Sequence, residues 1–327
     1  MKAVVIGASG HIGNAIARAL LDNGHEVTAC GRRVTPPPNL EGLRVSYHSG
    51  DADNVGQLDN WIEGHDLVVD AAAPYSIYLF PDRNAVNRDP MAHAEKRTMM
   101  LLEAVLRRDV PLVYVSSFST QVKPRSAFEH WHLQVMKIVH PYLNTKELIE
   151  HLILDGCRRG LRAVIVNPTM CLGPWEVREP EMCLIPQLLS GRVTASSTQM
   201  INVIDVRDVA NAVIAALRAE TYGIPITLTG PSLTAEQLFA RICELGGVAA
   251  PRFSGSSLLA LPASFWWELA FGLAGRRTPL PTITMIFATL VQWVAQDKMQ
   301  TRLEVFQRPL DETIKDSIEW FRRMGYC

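Results

Sequence analysis

VVIGASGHIGNAIARAL, residues 4–20, decides how the rest of this chain reads. A short apolar run ends in glycine, Gly7, Gly10 and Gly13 follow at the spacing GxxGxxG, and a helical pattern takes over. Lacking Cβ, glycines let the backbone turn sharply and approach a pyrophosphate, whose charge the N–H groups and dipole at a helix start stabilise. Alone, a glycine triplet also suits a tight turn with no ligand; placed between a strand and a helix it predicts a dinucleotide site. The candidate contacts on the loop are Gly7, Ser9, Gly10, His11, Ile12 and Gly13.

The alternation continues through the first half of the chain. Runs at 2–8, 25–32, 43–51, 66–74, 111–119 and 162–169 read as strands buried on both faces, because their apolar residues run on rather than alternate. Between them HIGNAIARALLDNG, NVGQLDNWIEG, PMAHAEKRTMMLLEAVLRRD and YLNTKELIEHLILDGCRRG carry helical periodicity. This order predicts an α/β fold, a Rossmann doubly wound parallel sheet with a smaller C-terminal lobe. After residue 170 comes the proline-punctuated CLGPWEVREPEMCLIPQLLSGR. INVIDVRDVANAVIAALRAE then reads as a strand turning into a helix capped by Asp205 and Asp208, and Thr234 with Gln237 forms a capping box for a further helix. The expected division is a nucleotide-binding domain over 1–170, to which 201–225 return, and a substrate-binding lobe over 171–200 and 226–327.

Composition narrows the partners. The chain has 327 residues, a formal net charge of −1 and no block of five like charges, so it lacks an electrostatic footprint for nucleic acid. Cys30, Cys157, Cys171, Cys183, Cys243 and Cys327 make no CxxC pair, which points to reduced thiols and a cytoplasmic setting. MKAVVIGASG is too short and wrongly flanked for a secretory signal. HWH at 130–132 and His140 find no carboxylate or cysteine to complete a ligand set; they read as exposed loop histidines, and no metal is expected. Residues 257–296 approach the length of membrane spans, but Glu268 and several prolines interrupt them, so no transmembrane segment is expected. Two readings of this stretch stand: helices with wide apolar faces packed on the core, or a surface that lines a lipid-like pocket or rests on a membrane.

Which dinucleotide is bound depends on the end of the second strand. ACGRRV offers no acid for a ribose 2′-hydroxyl; Arg32 and Arg33 suit a 2′-phosphate, which favours NADP(H) over NAD(H), although both arginines also read as solvated loop charges. Asp51, in SGDAD, is placed to accept from the adenine amino group, with Ala52 beside it.

HPYLNTKELIEHLI, residues 140–153, puts Tyr142 and Lys146 one helical turn apart, hence on one face. That spacing is common by chance and gains meaning from VYVSSFS, a strand ending in hydroxyls, with Ser117 placed 25 residues upstream of Tyr142. The glycine triplet, AAAP after the fourth strand, VSSFS after the fifth, YLNTK, and VNPTMCLGP after the sixth occur in the order found in the extended short-chain dehydrogenase/reductase family, which the chain resembles over nearly its whole length. VNPTMCLGPWE, INVIDVRDVANAV, PITLTGPSLTAEQLF and PLDETIKDSIEWFRRMGY most resemble its dihydroflavonol reductase-like branch, which includes hopanoid-associated sugar epimerases.

The resemblance implies roles residue by residue. Tyr142 is the general acid/base, Lys146 binds the nicotinamide ribose and lowers the tyrosine pKa, and Ser117 holds the reacting oxygen, with Ser116 and Ser119 as alternatives if the strand ends one residue differently. Such tuning is needed because an unperturbed tyrosine, near pKa ~10, is a poor base at neutral pH. Ala71, Ala72, Ala73, Asn167, Pro168 and Thr169 join the cofactor contacts, and Tyr75, Phe118, Ser119 and Trp175 are candidate substrate contacts, each equally readable as core. The family also implies a homodimer through helices around 91–108 and 142–158. Two features depart from its pattern: Asp70 replaces the usual histidine of the fourth strand, and PMAHAEKRTMM replaces the usual NVxGT.

The lobe from 251 to 300, rich in Leu, Phe and Trp, favours a hydrophobic small-molecule substrate over a sugar nucleotide. The expected activity is an NADP(H)-dependent ketone reductase or secondary alcohol dehydrogenase. Its rivals are a sugar-nucleotide epimerase or dehydratase with tightly bound NAD(P), and a non-catalytic NAD(P)-sensing protein.

Overall fold

The computed structural model describes residues 1–72, 89–255, 257–276, 278, 282–294 and 298–327. Its first half runs β1 (Lys2–Ile6), α1 (His11–Asp22), β2 (Glu26–Gly31), β3 (Val45–Ser49), α2 (Val55–Ile62), β4 (Leu67–Asp70), α3 (Pro90–Arg108), β5 (Leu112–Val115), α4 (Ala127–Val139), α5 (Pro141–Arg158) and β6 (Ala163–Pro168). There follow β7 (Met170–Leu172), α6 (Leu184–Leu189), β8 (Ala195–Ser197), β9 (Met200–Asp205), α7 (Val206–Arg218), β10 (Pro225–Leu228), β11 (Ser232–Thr234) and α8 (Ala235–Gly246). The chain continues through β12 (Phe253–Gly255), α9 (Ser257–Leu273), α10 (Thr282–Leu290), α11 (Lys298–Arg302) and α12 (Leu310–Arg323).

Seven strands form one parallel sheet in the order β10-β6-β5-β4-β1-β2-β3. The order reverses between β1 and β4, the place where an open α/β sheet leaves a crevice at its carboxyl ends. Side chains explain the two coats of helices. Ala3 and Val5 point into one apolar layer with α1 and α7, while Val4 and Ile6 point into the other with α2, α3 and α5. Both faces being covered, the central strands have no polar side, which is why their apolar residues run on. β3 departs from that expectation: as an edge strand it is only half covered, with Ser46, His48 and Ser49 exposed.

A third apolar cluster joins α6, α8 and α12 over a small sheet of β11, β9 and β7. The Thr234–Gln237 capping box opens α8, each partner bonding the other's backbone N–H at 3.1 and 2.9 Å. Asp205 caps α7 through the N–H of Arg207 at 2.7 Å, but Asp208 does not share that task; it is buried and accepts from the backbone and guanidinium of Arg308. The histidines also differ from expectation. His130 and His132 lie within α4, and His140 is buried, capping α5 with a ring nitrogen that accepts from the N–H of Tyr142 at 3.3 Å. Pro141 occupies the first helical position, where its missing N–H costs nothing. No helix among the described residues is long and apolar enough to cross a membrane.

Candidate active site

The glycine loop joins β1 to α1 and rests on the end of β4. Gly7 has φ +86°, and a Cβ there would meet the Ala71 carbonyl carbon at 2.8 Å; a Cβ on Gly13 would collide with the Gly7 carbonyl. Only glycine permits this fold-back. Gly10 stands at the start of α1, which has no side-chain cap and no acid in its first turn, so no side chain of that turn occupies the N-terminal N–H groups. Backbone cradle and uncapped terminus together fit a pyrophosphate. The neighbouring side chains hold the loop in place. His11 Nε2 lies 3.0 Å from the Pro174 carbonyl, with its pKa lowered by burial, and Asn39 donates to the carbonyls of Ser9 at 3.1 Å and Trp175 at 2.9 Å. Ile12 packs into the layer beneath α1.

Past the ends of β2 and β3 lies a cleft of about 620 Å³ lined by Arg32, Gly50, Asp51, Asp53, Asn54 and Gln57. Arg32 and Arg33 are exposed, and the Arg33 carbonyl accepts from the Tyr47 hydroxyl at 2.7 Å. Asp51 is shaped by its own turn, with its N–H on Gln57 Oε1 at 2.7 Å and its carboxylate accepting from the Asp53 N–H at 3.1 Å; Ala52 is buried beside it. A guanidinium and a carboxylate thus share one rim, suited to an anionic group and to an exocyclic amine respectively.

At the other end of the crevice, the first turns of α5 carry Tyr142 and Lys146. Lys146 is 4% exposed, donates to the Val115 carbonyl at 2.9 Å and lies 5.2 Å from the centre of the Tyr114 ring. Burial pushes its pKa down to about 7, against the charges of Asp70 and Glu150, which raise it. The three serines after β5 separate into roles. Ser116 donates to the buried carboxylate of Glu150, whereas Ser119 Oγ donates to Ser117 Oγ at 3.0 Å, so Ser117 and Ser119 form one linked pair.

Beneath these groups lie two buried polar assemblies. Glu150 accepts from Ser116, from Thr120 Oγ1 at 2.8 Å, from Gln121 Nε2 at 2.5 Å and from Asn167 Nδ2 at 2.6 Å. Asn167 also donates to the Ser117 carbonyl at 3.1 Å, so one carboxylate on α5 ties together the loop after β5 and the end of β6. The second assembly is the ion pair of Asp70 and Arg97, 2% and 4% exposed, joined by two bonds of 2.7 and 2.8 Å. Burial alone would lower the Arg97 pKa, but Asp70 holds it above the usual value. Arg97 Nε lies 3.7 Å from Asp53, which in turn meets His93 at 2.8 Å, so charged groups run from the cleft near Arg32 to the surroundings of Lys146. The two departures from the family pattern, in β4 and at the start of α3, are therefore one feature.

Among the remaining predicted contacts, the Ala71 N–H bonds the Ile6 carbonyl at 2.9 Å and the Ala72 N–H bonds Asp70 at 3.2 Å. Pro168 ends β6, and Thr169 spends its hydroxyl on Asn202 at 2.7 Å. Ala73 and Tyr75 lie outside the described residues. Phe118 is buried edge-on to Phe287 of α10 at 5.4 Å, and Phe287 meets the Tyr142 ring edge-on at 5.3 Å. Leu133, Met136, Leu143, Ile283, Ile286 and Trp293 surround them. Trp175 is engaged elsewhere, its ring 4.4 Å from the guanidinium of Arg18.

Glu150, Arg97 and Phe287 were not singled out from the sequence. Glu150 carries a usable signal, since it falls one turn beyond Lys146 on the face that also bears Tyr142.

Three comparisons place this geometry among known proteins. The description of the NAD dependent epimerase/dehydratase family matches residues 3–225. A Synechocystis sp. protein provisionally named a dihydroflavonol 4-reductase is 27% identical, with 98% of this chain and 95% of that protein covered. Sterol demethylase protein B of Methylococcus capsulatus is 29% identical over 99% of each chain. In fold, the chain is like the crystal structure of PA4631, a nucleoside-diphosphate-sugar epimerase from Pseudomonas aeruginosa, with a TM-score of 0.75 at 24% identity over 100% of this chain and 99% of that one.

Proposed function

The chain belongs to the NAD-dependent epimerase/dehydratase family, a group of NAD(P)-dependent enzymes of the extended short-chain dehydrogenase/reductase kind, and from that premise we propose that it is an NADP(H)-dependent oxidoreductase interconverting a ketone and a secondary alcohol on an apolar small molecule. The observation that carries the apolar substrate is the aromatic wall at Tyr142. Phe287 stands edge-on to its ring, Phe118 stands edge-on to Phe287, and residues 282–294, which carry Phe287, contain no charged side chain. A sugar nucleotide would bring a diphosphate that needs cations or aligned donors.

The proposed division of labour gives each group one part. The glycine loop from Gly7 to Gly13 holds the pyrophosphate, Arg32 the 2′-phosphate and Asp51 the adenine. When bound, the nicotinamide supplies or accepts the hydride. In the reducing direction Tyr142 gives its phenolic proton to the carbonyl oxygen as hydride reaches the carbon, leaving an alcohol and a phenolate. Lys146 in its ammonium form stabilises that phenolate, and the Ser117–Ser119 pair donates to the reacting oxygen. Residues 1–170 with 201–225 form the nucleotide-binding unit in this reading, and 171–200 with 226–327 the substrate lobe. The protein works as a cytoplasmic homodimer through α3 and α5, which lie side by side on one face of the sheet.

The test is a screen for NADPH oxidation across ketones graded by size and polarity. Turnover of apolar ketones supports the reading; turnover of sugar nucleotides alone, or purified protein carrying nucleotide with no net NADPH consumption, overturns it in favour of an epimerase or dehydratase. Cofactor choice has its own measurement: Arg32→Ala weakens NADPH binding about tenfold and leaves NADH nearly unchanged, and equal losses refute the role given to that arginine.

A further inference from the structure

Helix α9 is built inside out. On its described turns, the two fully buried side chains are polar, Ser264 and Glu268, each 2% exposed. Every exposed side chain from residue 262 to 273 is apolar: Pro262, Ala263, Trp266, Trp267, Ala270 and Leu273. Trp266, Trp267 and Leu273 are 65%, 54% and 72% exposed. These positions recur at the three- and four-residue spacing of one helical face, so they form a continuous stripe.

The helix cannot roll to hide that stripe. Glu268 accepts at 2.7 Å from the N–H of Thr282, the first residue of α10, where a carboxylate meets the positive end of the helix dipole. Turning the tryptophans inward would pull Glu268 off this terminus. The polar face is fixed on the protein, and the apolar face is thereby fixed outward.

We infer that the exposed face of α9 is a docking surface for an anionic lipid membrane, lying in the plane of the interface without crossing it. Charge and residue type select this occupant. Residues 253–296 contain a single acid, the buried Glu268, and two arginines, Arg276 and Arg277, the first of which lies three residues past the end of the helix and is exposed. A tryptophan-bearing apolar face flanked by arginine matches the boundary between acyl chains and acidic headgroups. The position matters for the chemistry, because α9 packs on α10, and α10 carries Phe287, which touches the Tyr142 ring. A lipid-borne alcohol or ketone therefore reaches the aromatic wall from the membrane side.

Co-sedimentation of the full chain with vesicles tests this without reference to turnover, so its failure leaves the reductase reading standing. Vesicles of phosphatidylcholine with phosphatidylglycerol bring down the wild-type protein, and pure phosphatidylcholine brings down less. The double variant Trp266→Ser, Trp267→Ser loses at least about tenfold of the binding, and Arg276→Glu abolishes the preference for the acidic lipid. The control Phe306→Ser, at an exposed phenylalanine outside α9, binds like wild type. Equal binding by wild type and the double variant, or no binding to either vesicle, overturns the proposal. So does a vesicle-free dimer, seen by analytical ultracentrifugation, that the double variant dissociates, since the face would then belong to a second copy of the chain.

Discussion

The two sides of Tyr142 are made of opposite materials. On one side lie Lys146, Glu150, Asn167, the serines and the Asp70–Arg97 pair, buried polar groups held by hydrogen bonds to named partners. On the other are Phe118 and Phe287, which meet by ring edges alone. A hydrogen-bonded network tolerates few substitutions because each lost partner strands another group, whereas an apolar wall is reshaped at modest cost. The proposed function confines chemistry to the rigid side and substrate choice to the adaptable one.

The contrast breaks most directly at the tyrosine itself. Tyr142→Phe should lower turnover by about 10²–10⁴-fold while leaving nucleotide binding intact; full activity in a steady-state assay would mean that neither side surrounds a reacting centre. Next in size is the ion pair. Arg97→Leu leaves Asp70 buried and unpaired, and denaturant titration should show a loss of about 3–5 kcal/mol, most of which returns when Asp70→Leu is added. A double variant as unstable as the single one would show that shape, not charge balance, governs this pair.

A smaller effect depends on pH. The Lys146 pKa is lowered from 10.5 in the free side chain to about 7 in the fold, so between these values the unfolded chain holds the proton more tightly. Stability then rises with pH from about 7 to about 10.5, and Lys146→Met flattens that slope, as denaturation midpoints across the range would reveal. On the apolar side the expected effect is smallest: Phe287→Ala raises KM for an apolar ketone about 2–10-fold, the value of one aromatic contact, with kcat little changed. A loss confined to kcat would place Phe287 in the rigid half instead.

Local signals made much of this legible from residues alone. The glycine spacing, the strand before it and the helix after it lie within one short stretch, and Tyr142 and Lys146 are a helical turn apart. Long-range partnerships were not legible. Asp70 and Arg97 stand 27 residues apart on different elements, and Asp70 and the segment PMAHAEKRTMM read as separate departures until β4 and α3 meet. Glu150 read as one more charge on an amphipathic helix because periodicity does not say that its face meets the loops after β5 and β6. The exposure of β3 depended on the strand order, since an edge and a centre strand share a composition. In α9, apolar residues on nearly every side left no moment to say which face points outward; Glu268 at the start of α10 decides it.

The Asp70–Arg97 pair has a consequence for how this sequence can drift. Either residue replaced alone leaves a lone charge sealed in the protein, so the path from this pair to two neutral residues crosses a valley that one mutation cannot bridge. The pair should therefore be inherited or lost as a unit, and libraries that vary one position at a time will record both as immutable when together they are exchangeable.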